Sequence, residues 1–362
     1  MIKRMTITLA TLLLVACGGG EPGSEAATGP AAKTFKWKMV TSWPKNYPGL
    51  GTAPERFAEN VERMSGGRLT VRVYGAGELV PALEVFDAVS QGTVEMGHSG
   101  AYYWKGKIPA APFFATVPFG LNAREINAWM HHGGGLEMWR EAYAPFNLIP
   151  FPMGNSGVQM AGWFNREINT LDDLKGLKMR IPGLGGEVIH RAGGQSINIP
   201  GGELYTSMQT NVIDATEWVS PYNDMAFGFY QVAKYYYYPG WHEPGAVLEL
   251  MVNKQAFESL PADLQAIVEV AARAANQDML DEYTAQNAIS LQELIDKHGV
   301  EVKPLPDEVL SGLKEISGQV LNELAASDPL AAKVWASQKA FMERTMSYEA
   351  ITDEAYSKAR RK

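Results

Sequence analysis

Apolar and polar residues alternate in short runs near the start of the chain, with amphipathic stretches between them. Phe35-Lys36-Trp37-Lys38-Met39-Val40 alternates with period two and predicts a first strand. Ala53 to Met64 places Phe57, Val61 and Met64 on one helical face. After the break at Gly66-Gly67, Leu69 to Tyr74 alternates again, Leu83 to Gln91 predicts a helix, and Glu95-Met96-Gly97-His98 enters a third strand. A β-α-β-α-β order predicts a parallel sheet with helices on its faces, binding ligands outside the carboxyl ends of its strands. The loop Gly100-Ala101-Tyr102-Tyr103-Trp104 lies at such an end, so Tyr102 and Tyr103 are candidate ligand contacts.

A second α/β unit follows. It holds a strand over Gln159 to Asn165, helices near Glu187 to Ala192 and Glu203 to Gln209, and the alternating Asn211 to Thr216. Tyr235 to Tyr238 reads as a strand with its polar tips wet, and Val247 to Asn253 as a strand returning to the first unit. Ala262 to His298 contains neither Gly nor Pro and predicts a helix of about 55 Å, at about 1.5 Å per residue. Such a helix, with Leu264, Val268, Ala271, Met279, Ile289 and Ile295 among its apolar positions, is long enough to lie across both units. Ala331 to Met346 predicts a last helix carrying Val334, Trp335, Phe341, Met342 and Met346. A second copy of the chain would cover that apolar surface, and so would folding back on the same lobe; both remain open.

Composition changes this picture little: 46% of residues are hydrophobic and 20% charged, the balance of an ordinary globular protein. The formal net charge of -8 argues against nucleic acid and polybasic membrane docking as partners. An anionic ligand would then need a local positive feature. The N-terminus adds a location. Lys3-Arg4, the apolar Ile7 to Ala16 and the small residues after it read as an export signal, too short to span a membrane. Cys17, the only cysteine, follows Leu14-Val15-Ala16 as in a bacterial lipobox, which predicts lipidation there and a periplasmic, lipid-anchored protein. Gly18 to Lys33 reads as a flexible tether.

Candidate chemistry gathers between Gly154 and Glu243. Asn155, Gln159, Arg180, Glu217-Trp218 and Trp241-His242-Glu243 all stand at element ends. One guanidinium can fork onto one carboxylate, and the two Glu residues suit a hard cation or a hydroxyl. Taken singly, Arg180 is more ordinary as a surface ion pair, Glu217 as a strand-end charge, Asn155 as a turn cap, and His131-His132 as a loop. Catalytic patterns fail. Gly75-Ala76-Gly77-Glu78-Leu79-Val80 lacks the third glycine of a dinucleotide fingerprint. Gly97-His98-Ser99-Gly100-Ala101 and Gly154-Asn155-Ser156-Gly157-Val158 each miss a nucleophile elbow by one residue. An esterase is a remote alternative, a purely structural lipoprotein another; the expectation is a binder and no enzyme.

Ile168 to Pro182, with Leu171-Asp172-Asp173-Leu174-Lys175-Gly176 at its centre and Met179-Arg180 near its end, resembles the signature of the DctP-type solute-binding proteins of TRAP transporters. Glu203 to Gln209 with Val212-Ile213-Asp214-Ala215, and Leu79-Val80-Pro81 with Glu95-Met96-Gly97, resemble further blocks of that family. Asn211 and Ala215 stand where the family often has Gly. Glu217-Trp218 and Trp241-His242-Glu243-Pro244-Gly245 resemble the subgroup that binds 2-oxo acids or lactate with a metal cation. The resemblance implies an α/β, two-lobed periplasmic-binding-protein-like fold with a cleft between lobes and a long helix spanning both. Its expected divisions are a signal at 1–16, a tether at 17–33, lobe 1 at 34–153 with 247–260, and lobe 2 at 154–246 with part of 299–330. The long helix would take 261–298, and a C-terminal segment, 331–362, would be open to dimerisation. It also implies that Arg180 clamps the ligand carboxylate. Asn155, Gln159, Tyr102, Tyr103 and Trp218 are the other expected substrate contacts. Gln159, Glu217, the Trp218 carbonyl and Glu243 would surround calcium or sodium. Delivery to a TRAP permease would follow. An aromatic or dicarboxylic acid is the alternative ligand, for which Tyr102-Tyr103-Trp104 leaves room.

Overall fold

The computed structural model describes residues 33–362; the signal segment, Cys17 and all but the last residue of the tether lie outside the described residues. β1 (Phe35–Thr41), β2 (Leu69–Tyr74) and β3 (Met96–Ser99) form where the alternation predicts, with the helices Thr52–Ser65 and Val85–Ser90 between them. β1 pairs in parallel with both neighbours, Phe35 beside Leu69 and Met39 beside Met96. β4 (Leu148–Asn155) is the last strand before the chain crosses to a second sheet. That sheet takes β5 (Gly162–Phe164), β6 (Lys178–Arg180), β7 (Gln195–Ile197), β8 (Ala215–Thr216) and β9 (Tyr235–Tyr238). β10 (Val247–Asn253) then returns to the first sheet, and β11 (Glu301–Pro304) completes the second. The strand orders are β2-β1-β3-β10-β4 and β11-β9-β5-β8-β6-β7.

The predicted return of Val247 to Asn253 is therefore an interior strand of the first sheet, antiparallel to β3 and β4 on either side. The two segments that cross between sheets run antiparallel, side by side. Ser156 N donates to Ala246 O at 3.0 Å, Gln159 N to Glu243 O at 3.2 Å, and Gly240 N to Gln159 O at 2.8 Å. Every polar residue carried by these segments is thus held where the two sheets meet.

A third connection is the long helix, Ala262–Asp296. Its first half packs Leu264, Val268 and Ala271 with Phe57, Val61 and Leu250 of the first unit. Its second half packs Met279, Tyr283 and Leu294 with Trp163, Trp218 and Tyr236 of the second. The helix spans both lobes, as its unbroken length predicts. Not every expected apolar position is inside: Met64, Ile289 and Ile295 are exposed, single residues of a kind common on protein surfaces.

The last long helix, Pro329–Ile351, resolves half of its ambiguity. It folds back on its own first unit: Trp335 stacks on Phe113 at 5.8 Å, and Gln338 Nε2 donates to Phe113 O at 3.0 Å. Its far end, with Met346, Tyr348 and Ile351, is exposed. Two smaller expectations are corrected. His131-His132 ends the helix Ala123–His132, because Asn122 caps that helix and Gly133 closes it. The Tyr102-Tyr103 loop is a single 3-10 turn, Ala101–Trp104.

Tyr47 and Pro48, beyond β1, reach across to the second unit. Asn223 Nδ2 donates to Pro48 O at 2.7 Å, Tyr47 O–H donates to Asn223 O, and Tyr283 O–H donates to Pro48 O at 3.3 Å. Gly49 makes this approach possible, since its φ is +63° and a Cβ there would fall on the Tyr283 ring. Gly49→Ala is accordingly expected to destabilise the protein by on the order of 2 kcal/mol or more, from left-handed strain and overpacking together. A melting temperature equal to that of the parent would contradict this close packing.

Candidate functional site

β6 and β8 are parallel, with Arg180 beside Thr216. The pairing brings Glu217 and Trp218, the residues leaving β8, against the guanidinium. Arg180 and Glu217 are each only 1% exposed. Arg180 Nη1 donates to Glu217 Oε1, and to the Glu217 carbonyl at 3.2 Å. Nε donates to Ile199 O at 3.1 Å and Nη2 to the Tyr103 hydroxyl at 3.3 Å. The guanidinium also lies 5.1 Å from the centre of the Trp218 ring.

The crossing segments supply the rest. Gln159 Nε2 donates to Glu243 Oε2 at 2.8 Å and to Ser156 Oγ at 3.0 Å. His242 Nε2 lies 3.3 Å from Glu217 Oε2. One ligand-type atom each of Glu217, His242 and Glu243 lies within 4.8 Å of the others, and all three residues are buried. Among the described residues, Gln159 Oε1 and His242 Nδ1 are buried with no partner. Buried polar atoms seldom stay unpaired in a native protein, so this concentration marks a place built to receive something.

Burial and the neighbouring Glu217 carboxylate push the Glu243 carboxyl well above its usual range, with Arg180 and the Gln159 bond pulling the other way. Two carboxyls behind the walls behave similarly. Burial raises Asp224 to about 7, although Tyr236, Trp163 and the Val219 N–H donate to it. Glu249 is likewise raised by burial to about 7. Each binds its proton more tightly in the folded state. Their contribution to stability is complete below pH values near 4 and is lost as pH rises through about 7. Ion pairs such as Arg68–Asp263 act in the opposite sense, but they are solvent-screened. The chelator-treated protein is therefore expected to melt higher at pH 5 than at pH 8, with Asp224→Asn flattening the slope; a flat parental profile would contradict these burials.

Gln159, Arg180, Glu217, Trp218, Tyr102 and Tyr103 line one enclosed cavity, together with Trp43, Leu50 and Ser156. Its volume is about 10 Å³, room for about one water. A ligand of several heavy atoms enters only if the side chains paired across it part. A larger surface cleft, about 470 Å³ beside Phe151 and Phe257, has no comparable cluster of buried charge. Asn155 is not at the cavity. It is fully buried, its Oδ1 accepts from Gly157 N at 2.8 Å, and its Nδ2 donates to Gly245 O at 3.4 Å. It ties the two crossing segments together, which matches its reading as a turn cap.

Sequence reasoning did not single out His242, Ser156 or Trp43. His242 was legible only as the residue between Trp241 and Glu243, and nothing in Ser42-Trp43-Pro44 signals a cavity wall. The tyrosines of β9 also differ from expectation. Tyr236 and Tyr237 are buried, and the Tyr236 hydroxyl donates to Asp224 at 2.7 Å.

Two α/β units joined by crossing segments, with a buried arginine and two buried carboxylates at the crossing, define the architecture of an extracytoplasmic solute-binding protein. The chain belongs to the DctP family, bacterial extracellular solute-binding protein family 7, whose model matches residues 39–328. It is 42% identical over 98% of its length to the monocarboxylate 2-oxoacid-binding periplasmic protein of Nostoc sp., covering 96% of that protein. Among solved structures it is similar to a TRAP periplasmic solute-binding protein from Pseudoalteromonas atlantica with bound sodium and pyruvate. That match has a TM-score of 0.88 and 44% identity, over 90% of this chain and 99% of that one. A counterpart from Colwellia psychrerythraea, with bound calcium and pyruvate, matches with a TM-score of 0.88 and 43% identity, over 90% of this chain and 100% of that one.

Proposed function

We propose that this protein captures a small 2-oxo or 2-hydroxy monocarboxylate, with pyruvate as its reference ligand, together with a cation, and delivers it to a TRAP permease. The observation that carries the reading is the buried set Arg180, Glu217, Glu243 and Gln159, in a chain so similar to pyruvate-binding proteins of its own family. Arg180 holds the ligand carboxylate. Gln159 Oε1, the Glu217 and Glu243 carboxylates and the Trp218 carbonyl form an oxygen-rich set suited to a hard cation. The donor set fits such an ion because two buried carboxylates and an orphaned amide oxygen face a single guanidinium. When bound, the cation supplies charge that lets two carboxylates share a closed site with an anionic ligand. Calcium balances those charges more fully than sodium.

Residues 34–153 with 247–260, and 154–246 with part of 299–330, act in this reading as two lobes that open about the crossing segments. The protein binds its ligand and releases it unchanged. The exposed end of the helix Pro329–Ile351 supports a second copy as its cover. A thermal-shift screen of small carboxylates on chelator-treated protein, with and without calcium, tests the reading. Stabilisation by pyruvate that depends on calcium is expected; no shift with any small carboxylate would reject it.

The lipobox reading carries its own expectation. Cys17→Ala should move the protein from the washed membrane fraction into the soluble periplasmic or medium fraction. An unchanged membrane fraction would show that Cys17 is not the anchor.

A further inference from the structure

Glu249 is the least expected residue of the first sheet. It stands in the interior strand β10, 0% exposed, between Ser99 of β3 and Pro152 of β4. Among the described residues no basic side chain pairs with it. Its partners are two buried aromatic donors: Trp104 Nε1 donates to Oε1, and the Tyr143 hydroxyl to Oε2 at 2.7 Å. A lone buried carboxylate is a costly choice for a core that an apolar residue could fill.

What it holds suggests why. Trp104 is the last residue of the turn Ala101–Trp104, and its ring also packs on Phe86 at 5.2 Å. The two residues before it face the other way, into the Arg180 cavity. The Tyr103 hydroxyl accepts from Arg180 Nη2, and Tyr102 packs so closely on Gly183 that a Cβ there would lie 3.0 Å from its own Cβ. Lys105, just past the turn, lies 3.7 Å from Glu187 of the second unit. The turn is thus a bracket rooted in the first sheet that meets the second sheet's ligand-binding arginine.

We propose that Glu249 is a positioning residue for ligand capture: through Trp104 it fixes the Ala101–Trp104 turn, and so the placement of Tyr102 and Tyr103 against Arg180. The inference rests on the proposed function of the Arg180 site and adds a residue that touches neither ligand nor cation. Trp104 Nε1 and the Tyr143 hydroxyl have no other acceptor in this core, so removing both carboxylate oxygens frees the indole. A glutamine preserves the bond that holds the turn, since its Oε1 accepts from Trp104; it costs the Tyr143 hydroxyl its acceptor, and Tyr143 does not touch the turn residues Tyr102 and Tyr103.

Two measurements on the full-length protein test this. Pyruvate affinity is read by calorimetry in calcium, at 25 °C and well below each variant's melting temperature, where a purely stabilising residue leaves affinity unchanged. Glu249→Leu and Trp104→Phe should each weaken binding about tenfold or more, while Glu249→Gln stays within about threefold of the parent. The double variant W104F/E249L should be no worse than E249L alone, because both remove the same bond. Parental affinity in E249L, or a loss in E249Q equal to that in E249L, would overturn the proposal. If E249L does not fold, parental affinity in W104F overturns it equally. The second measurement needs no ligand: amide exchange in chelator-treated E249L or W104F should accelerate at residues 100–108 and stay unchanged around Arg180 and Ile199. Unchanged exchange at 100–108 overturns the proposal. A parent that fails to bind pyruvate strikes the functional reading instead, and leaves this second measurement to decide.

Discussion

Arg180→Lys weakens pyruvate binding by about 1–3 kcal/mol, roughly five- to 150-fold, in the expected outcome of calorimetry with calcium present. The geometry gives the reason. One planar guanidinium reaches Ile199 O, Glu217 and the Tyr103 hydroxyl at once while lying over Trp218. An ammonium group is a point charge on a flexible stem and cannot hold those directions together. It would keep the charge and lose the fork that a carboxylate meets with two parallel bonds. It would also leave Glu217 buried with a poorer partner, so a lower melting temperature should accompany the loss. Parental affinity in this variant would remove Arg180 from the ligand and leave its pairing with Glu217 as a purely internal one.

Much of this was legible from the sequence, for reasons that differ between elements. The first sheet announced itself because β1 and β2 are long enough for period-two alternation to register, as in Leu69 to Tyr74. The long helix was legible because no Gly or Pro interrupts it. The second sheet was harder: β5, β6 and β7 have three residues each and β8 has two, too few for any period. There the family motif, not alternation, located Arg180. Position within the site was legible in part. Gln159 and Glu243 meet because two crossing segments pair, a contact between residues 84 apart that local pattern cannot encode. Asn155 has a polar side chain in the right segment, yet it spends both ends on backbone groups. Glu249 was read simply as part of an apolar strand. Its role depends on Trp104 and Tyr143, distant in sequence and adjacent only after folding.

Glu217→Gln should lower cation affinity and, with it, apparent pyruvate affinity. The cause is charge. Glu217, Glu243 and the ligand carboxylate would place three negative charges against the single positive charge of Arg180 in one closed site. Glu217 at present divides its oxygens between Arg180 and His242, so engaging a cation means loosening that pairing and releasing Arg180 toward the ligand. Ligand and cation then support one another reciprocally, by about 1–3 kcal/mol of coupling. A glutamine keeps the shape and removes the charge, so both affinities should fall together. A variant that loses cation affinity while keeping full pyruvate affinity would show that the two sites are not linked.

The most direct test of this account is a pyruvate titration of chelator-treated protein in sodium-free buffer, repeated after adding calcium. Tight binding with calcium and a loss of about tenfold or more without it is the predicted pair of results. Equal affinity in both conditions would contradict the bridging cation and leave Arg180 to hold the ligand alone.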